Sequence, residues 1–141
     1  MRKIITLILI LSLFTLPSCK EEAKDNVTIQ TETDIYLPDT KQISVNWINN
    51  SNKHVMFGDS WILEKHDGKS WKPVNKDNGI AFTSIAYGLE PGTQSKHVYN
   101  VENYADVLSE GRYRIVVEYF FEEDIPITPD KDYTITAEFT V

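Results

Sequence analysis

From residue 27 onward, apolar side chains recur at every second position, and that period limits the fold more than any other feature of the chain. Val27, Ile29 and Ile35 alternate with Gln30, Glu32 and Asp34, and Ile43, Val45 and Trp47 alternate with Gln42, Ser44 and Asn46. Val55, Phe57, Trp61 and Leu63 share a face of the next segment, and Ile80, Phe82 and Ser84 begin a further short strand. A strand from Gln94 to Val101 follows. Tyr113, Ile115, Val117, Tyr119 and Phe121 form the strongest inward face, and Tyr133, Ile135, Ala137, Phe139 and Val141 close the chain in the same register. Alternation of this kind predicts strands buried on one face only.

Turn chemistry punctuates the pattern. Asn49-Asn50-Ser51-Asn52 reads as a turn, Asp67-Gly68 as a hairpin before Trp71, and Leu89-Glu90-Pro91-Gly92 as a turn in which Pro sets φ and Gly accepts a positive one. Tyr104, Val107 and Leu108 stand at helical spacing and predict one helical turn. The expectation is an all-β antiparallel sandwich of about seven strands over residues 27–141, with one short helical turn and no second domain. The segment Ser109-Glu110-Gly111-Arg112-Tyr113 marks Tyr113 as a candidate tyrosine corner. In immunoglobulin-like sandwiches a Tyr at the start of strand F bonds back to the backbone upstream. Gly111 lets the chain turn into that strand.

Three segments carry a family resemblance. Trp71-Lys72-Pro73-Val74, Leu89-Glu90-Pro91-Gly92 and Leu108-Ser109-Glu110-Gly111-Arg112-Tyr113-Arg114-Ile115 occur in that order. They resemble a bacterial Ig-like domain family of envelope lipoproteins, with a Trp-x-x-Val hairpin, a Leu-x-Pro-Gly turn and a Leu-x-x-Gly-x-Tyr-Arg strand. The resemblance covers roughly residues 30 to 141 and implies an immunoglobulin-like sandwich. Its motifs are turns and core positions, so it transfers no catalytic residue.

The N-terminus has a different composition. Arg2 and Lys3 precede an apolar run from Ile4 to Phe14, too short for a span of about 20 residues and laid out like a secretory signal. The run ends at Leu16-Pro17-Ser18-Cys19, which resembles a lipobox, although Pro17 departs from the usual small residue. The resemblance implies a signal peptide over 1–18 and lipidation of Cys19, with two or three acyl chains holding the chain firmly at a membrane. Cys19 is the only cysteine, so an internal disulfide is impossible. Lys20-Glu21-Glu22-Ala23-Lys24-Asp25 resembles the surface-export signal of some Bacteroidetes lipoproteins and reads equally as a solvated tether. The lipidated Cys and short polar tether occupy 19–26, and the seven residues Lys20 to Asn26 reach about 25 Å at most, which keeps the domain near the membrane.

Without Arg2 and Lys3 the chain has 12 basic and 21 acidic residues, a formal charge of −9. That excess disfavours nucleic acid and anionic lipid surfaces as partners and favours solubility. His54, His66 and His97 fall in separate predicted elements, without the close spacing of a metal motif. No serine sits in a Gly-x-Ser-x-Gly elbow, and no phosphate-binding loop occurs. Glu122-Glu123-Asp124 and Asp130-Lys131-Asp132 offer carboxylates at one end of the sandwich but match no EF-hand spacing. No enzyme, cofactor or metal is expected.

The loop 122–132 is the candidate interaction surface. It is longer than an ordinary hairpin loop and carries Ile125, Pro126, Ile127 and Pro129. The competing expectation is that Ile125 and Ile127 cap the open end of the core. Trp71, beside a turn, is the one tryptophan expected to be partly exposed; Trp47 and Trp61 lie in inward registers. These features describe a monomeric, non-catalytic interaction or structural module, lipid-anchored in the bacterial envelope at the outer membrane, and surface-facing if the tether is an export signal. Its partner is an unidentified protein or glycan. A proteinase inhibitor using the 122–132 loop is the first alternative, and a carbohydrate-binding module using Trp71 the second.

Overall fold

In the computed structural model, which describes residues 26–74, 79–127 and 133–141, the alternating segments form eight strands and the described chain is all-β. They are β1 (Val27–Thr31), β2 (Gln42–Asn49), β3 (Val55–His66), β4 (Trp71–Pro73), β5 (Ala86–Leu89), β6 (Gln94–Asn100), β7 (Arg112–Phe121) and β8 (Tyr133–Thr140). One antiparallel sheet has the order β1-β2-β6. The other runs β4-β3-β7-β8, with β5 also paired to β3. The two sheets pack into an immunoglobulin-like sandwich, because each presents one apolar face that only the other can cover.

The inward faces are those that the alternation sets out. Ile43, Val45 and Trp47 of β2, Val55, Phe57, Trp61 and Leu63 of β3, and every odd residue of β7 from Tyr113 to Phe121 are buried. Trp47 lies flat on Phe57 of the opposite sheet, ring centroids 3.9 Å apart, and its indole N–H donates to Tyr99 Oη at 3.1 Å. Trp61 meets Tyr99 across the same gap at 5.1 Å.

Two expectations are corrected. Ile80, Phe82 and Ser84 do not begin a strand; residues 79–85 run irregularly, with Ile80 and Phe82 packed against the core from the side. The strand there is β5, which alternation hides because Gly88 takes a strand position without offering a side chain. The helical turn is a 3₁₀ turn at Val101–Asn103, ahead of the expected 104–108; Tyr104 and Leu108 are buried but Val107 is exposed. A second 3₁₀ turn, Glu122–Asp124, follows β7. Ile35, assigned to the first alternating stretch, is exposed and forms an isolated parallel bridge to Thr140, after the chain has left β1.

β3 organises the second sheet. Its pairing with β7 shifts between Phe57 and Trp61, where β3 carries two residues more than its partner. Before this bulge β3 pairs with β5 and after it with β4, both along its other edge. Among the described residues no strand pairs with residues 59–62 of β3 along that edge, and the Val74 N–H donates to the Leu63 carbonyl at 2.8 Å.

One buried polar side chain ties the sheet-crossing turns together at one end. Asn49 is fully buried. Its Nδ2 donates to the carbonyls of Lys53 (2.8 Å), Leu89 (3.0 Å) and Glu90 (3.2 Å), and its Oδ1 accepts from Ser51 N at 3.0 Å. Its own N–H donates to Thr93 O, and its carbonyl accepts from Gly92 N. The β2–β3 turn and the β5–β6 turn therefore share one amide. Asn49→Ala is expected to lower stability by about 2–4 kcal/mol, since buried carbonyls lose their donor. Asn49→Asp is expected to do no better, since it turns a carboxylate toward those carbonyls. Urea denaturation of the two variants checks both.

Candidate functional site

The structure assembles a polar cleft from segments that lie far apart in sequence. The β3 bulge carries Asp59 to the open side of the sandwich, where β6, an edge strand, faces β5 across the space between the sheets. Bulges re-aim side chains in this way. Asp59 Oδ1 accepts from Tyr87 Oη at 2.8 Å, and Oδ2 accepts from the Thr83 hydroxyl. His97 projects from β6 toward the same carboxylate, Nε2 to Oδ1 3.7 Å. Its imidazole packs edge-on against Phe57, Tyr87 and Tyr99. The side chains of Asp59 and His97 are 23% and 15% exposed. The cleft has a volume of about 190 Å³, and its walls include Trp61, Phe82, Tyr99 and Asn103.

Environment sets the charge states here. Hydrogen bonding from Thr83, supported by Tyr87 and partly offset by burial, holds the Asp59 carboxyl below its ordinary range. Burial lowers the His97 pKa and outweighs the attraction of Asp59. Burial also raises Tyr99 strongly and pushes Tyr104, whose hydroxyl donates to the Trp61 carbonyl, up to about 12. No periodicity or spacing joins Asp59, Thr83, Tyr87 and His97; of the four, only His97 stands out in the sequence, as one of three histidines, and nothing there links it to Asp59. The one local signal is Gly58-Asp59-Ser60, small and polar residues in the middle of an otherwise apolar strand.

The residues singled out from sequence do not converge on this cleft. Trp71 is half-buried beside the outer face of the second sheet. The Arg114 and Arg112 guanidinium groups lie 4.6 and 5.5 Å from its ring, and His66 meets its edge. Each arginine is held in turn by a carboxylate, Arg114 Nε to Glu64 at 2.6 Å and Arg112 Nη2 to Glu138 at 2.9 Å. Tyr113 is buried, and its hydroxyl donates to the Ser109 carbonyl at 2.7 Å, while Gly111 has φ +146°. Ile125 and Ile127 are 59% and 45% exposed and lie outside the core cluster. Ile127 lines a shallow hollow with Phe57, Gly58, Ser60, Glu118 and Phe120. Pro126 follows Ile125 after the 3₁₀ turn. Cys19, the signal segment 1–18, the tether up to residue 25, Pro129 and the acidic run 130–132 lie outside the described residues.

His54, at the end of the sandwich that Asn49 closes, touches Glu122 (Nδ1 to Oε2, 2.5 Å) and Glu90 (Nε2 to Oε1, 3.6 Å). The hydrogen bond to Glu122 raises its pKa. Among the described residues no group of three or more His, Cys, Asp or Glu is placed to hold a metal ion. Among them, too, no helix is long and apolar enough to cross a membrane.

A bacterial Ig-like domain family matches residues 23–140. No curated protein matches the sequence. Among solved structures the chain is similar to the archaellum periplasmic stator protein FlaG of Sulfolobus acidocaldarius, with 18% identity and a TM-score of 0.41, over 80% of this chain and 99% of that one. It is similar to the FlaF–FlaG stator complex of the same organism, with 16% identity and a TM-score of 0.44, over 92% and 100%. It is also similar to the ASH/PapD-like domain of human CEP192, with 13% identity and a TM-score of 0.41, over 98% and 95%. At such identities and superpositions no activity or partner passes from these proteins to this chain.

The two histidines predict opposite pH responses. His97 has a lowered folded pKa, so its contribution to stability is full above the unfolded value of about 6.5 and is lost as pH falls below it. Wild type is therefore expected to lose more stability than His97→Gln between pH 7 and pH 5. His54 has a raised folded pKa, so its contribution is full below about 6.5 and is lost as pH rises through the folded value. Wild type is expected to lose more than His54→Gln between pH 6 and pH 8. Urea midpoints across pH measure both. For the loop, Ile125→Ser is expected to change stability by no more than about 0.5 kcal/mol, as at other exposed sites. A loss of several times that in thermal or urea unfolding would make Ile125 a core cap.

Proposed function

The chain belongs to the bacterial Ig-like domain family, and from that premise we propose that it is a non-catalytic interaction or structural module, lipid-anchored in the bacterial cell envelope. The observation that carries this reading is the position of Cys19. A lipobox-like Leu16-Pro17-Ser18-Cys19 closes a short apolar run, and the family match begins only four residues after the cysteine. Lipid on that cysteine would hold the sandwich close to the membrane, within the reach of its tether. The fold is a frame on which loops present side chains to partners, and the described residues include exposed apolar groups at Ile125 and Ile127 that suit such a contact. The proposed partner is a protein or glycan of the envelope or its surroundings, met by a monomer.

The alternatives fit the geometry less well. A carbohydrate-stacking face at Trp71 competes with the chain's own Arg114 and Arg112, which lie over the ring. A proteinase inhibitor needs its loop to stand clear, whereas Ile127 lies beside the outer face of β7 at Phe120.

Metabolic labelling with a clickable fatty acid tests the anchor. The wild-type chain is expected to carry label and to sediment with membranes, and Cys19→Ala is expected to lose both. Unlabelled wild type overturns the anchor. Protease added to intact cells then separates a surface location, in which the chain is cut, from one facing the periplasm.

A further inference from the structure

We propose that the cleft around Asp59 is a binding site for one organic cation, a primary ammonium on a short alkyl chain such as a lysine side chain presents. The proposal goes beyond the tethered-module reading and does not depend on the anchor.

The argument begins with charge. Asp59 is a partly buried carboxylate, and among the described residues no lysine or arginine lies within ion-pair distance of it. Its neighbours at that range are two hydroxyls, of Thr83 and Tyr87, and the His97 imidazole. Burial favours the neutral form of that imidazole. The cleft therefore holds a net negative charge at neutral pH. The hydroxyls of Thr83 and Tyr87 keep Asp59 ionised, and in a cleft only partly open to water its charge attracts an entering cation more strongly than it would in bulk solvent.

The walls select the kind of cation. Rings of Trp61, Phe82, His97 and Tyr99 contribute to the lining, with Phe82 and His97 partly exposed and Trp61 and Tyr99 buried in the core. Aromatic faces attract ammonium groups, and their apolar surface accepts an alkyl stem. A hard divalent ion requires six or more oxygen ligands, and this cleft has a single carboxylate. A guanidinium binds best as a fork on two free carboxylate oxygens. Here Oδ1 of Asp59 already accepts from Tyr87 and has His97 Nε2 3.7 Å away, while Oδ2 accepts from Thr83, so the planar approach a fork needs is crowded at one oxygen. An ammonium needs no fork. The volume of about 190 Å³ suits one such group and its stem.

The test is an NMR titration of the purified full chain in a non-ionic detergent, reading the Asp59, Trp61 and His97 signals. n-Butylammonium chloride is expected to shift them saturably, while 1-butanol, or sodium chloride at equal ionic strength, is not. Asp59→Asn is expected to weaken butylammonium binding by about tenfold or more, the loss of one charge-assisted hydrogen bond. Phe82→Ala is expected to weaken it severalfold with the charge left in place. Equal shifts with 1-butanol, or unchanged binding to Asp59→Asn, overturn the proposal. So does a larger saturable shift of the same signals with calcium or magnesium chloride. If Asp59→Asn does not fold, the wild-type comparison of butylammonium with 1-butanol decides alone. A parallel titration with Nα-acetyl-lysine N-methylamide distinguishes the source: binding comparable to butylammonium points to a lysine on a protein, and binding of butylammonium alone points to a small free amine.

Discussion

The contact between Trp47 and Phe57 is the constraint on which the rest of the sandwich depends. The sequence has one cysteine, near its N-terminus, so no disulfide can pin the two sheets. The pin is aromatic: an indole on β2 lies flat on a phenyl ring of β3, and Tyr99 fixes the indole N–H from the neighbouring strand. Large rings in offset or edge contact contribute both buried area and a preferred geometry. That geometry sets how β2 lies over β3, and through their hydrogen-bonded neighbours it sets both sheets. Tyr99 serves twice, as acceptor for Trp47 and as the surface against which Trp61 and His97 pack. The core and the polar cleft are thus continuous, with β6 contributing to each.

Strand faces were legible in the sequence because alternation reports burial directly. Every inward residue named for β7 is buried, and so are the four named for β3. The same rule concealed the bulge. A one-residue bulge reverses the alternation and announces itself, but β3 carries two extra residues, so Phe57 and Trp61 keep the same face. The rule also failed at residues 80–84, where Ile80 and Phe82 alternate yet lean on the core from a segment with no strand partner. The cleft follows from what was hidden. Asp59 sits in the concealed bulge, Thr83 in the misread segment, and Tyr87 in the strand that Gly88 obscured. The role of Asn49 was hidden differently, since a turn residue and a buried cross-link look alike in sequence. Its function depends on the β5–β6 turn, some forty residues downstream, arriving beside it.

Charge is distributed unevenly over this frame. The outer face of the second sheet neutralises itself locally, with Glu64, Arg114, Arg112 and Glu138 paired around Trp71. The exposed Arg112–Glu138 pair contributes little to stability, and together with the partly buried Arg114–Glu64 pair it places guanidinium groups over the Trp71 ring. The open side between the sheets is the reverse case, with a carboxylate and a neutral imidazole sharing a cleft walled by rings.

The path of the N-terminal segment has a mechanical consequence. β1 is zipped antiparallel to β2 through five residue pairs, and the chain then crosses to the other sheet, where Ile35 bridges Thr140 in parallel. A force entering at residue 26 meets these two attachments in series. Pulled across the strands, the β1 pairs open one at a time and give way at low load. Pulled along them, all five share the load in shear, and the bridge at Thr140 carries none until they fail. The domain's resistance to being stretched from its N-terminus therefore depends on the direction of pull, and the first element to yield is a single short strand whose loss leaves β2, β3 and β7, and the aromatic pin between them, in place.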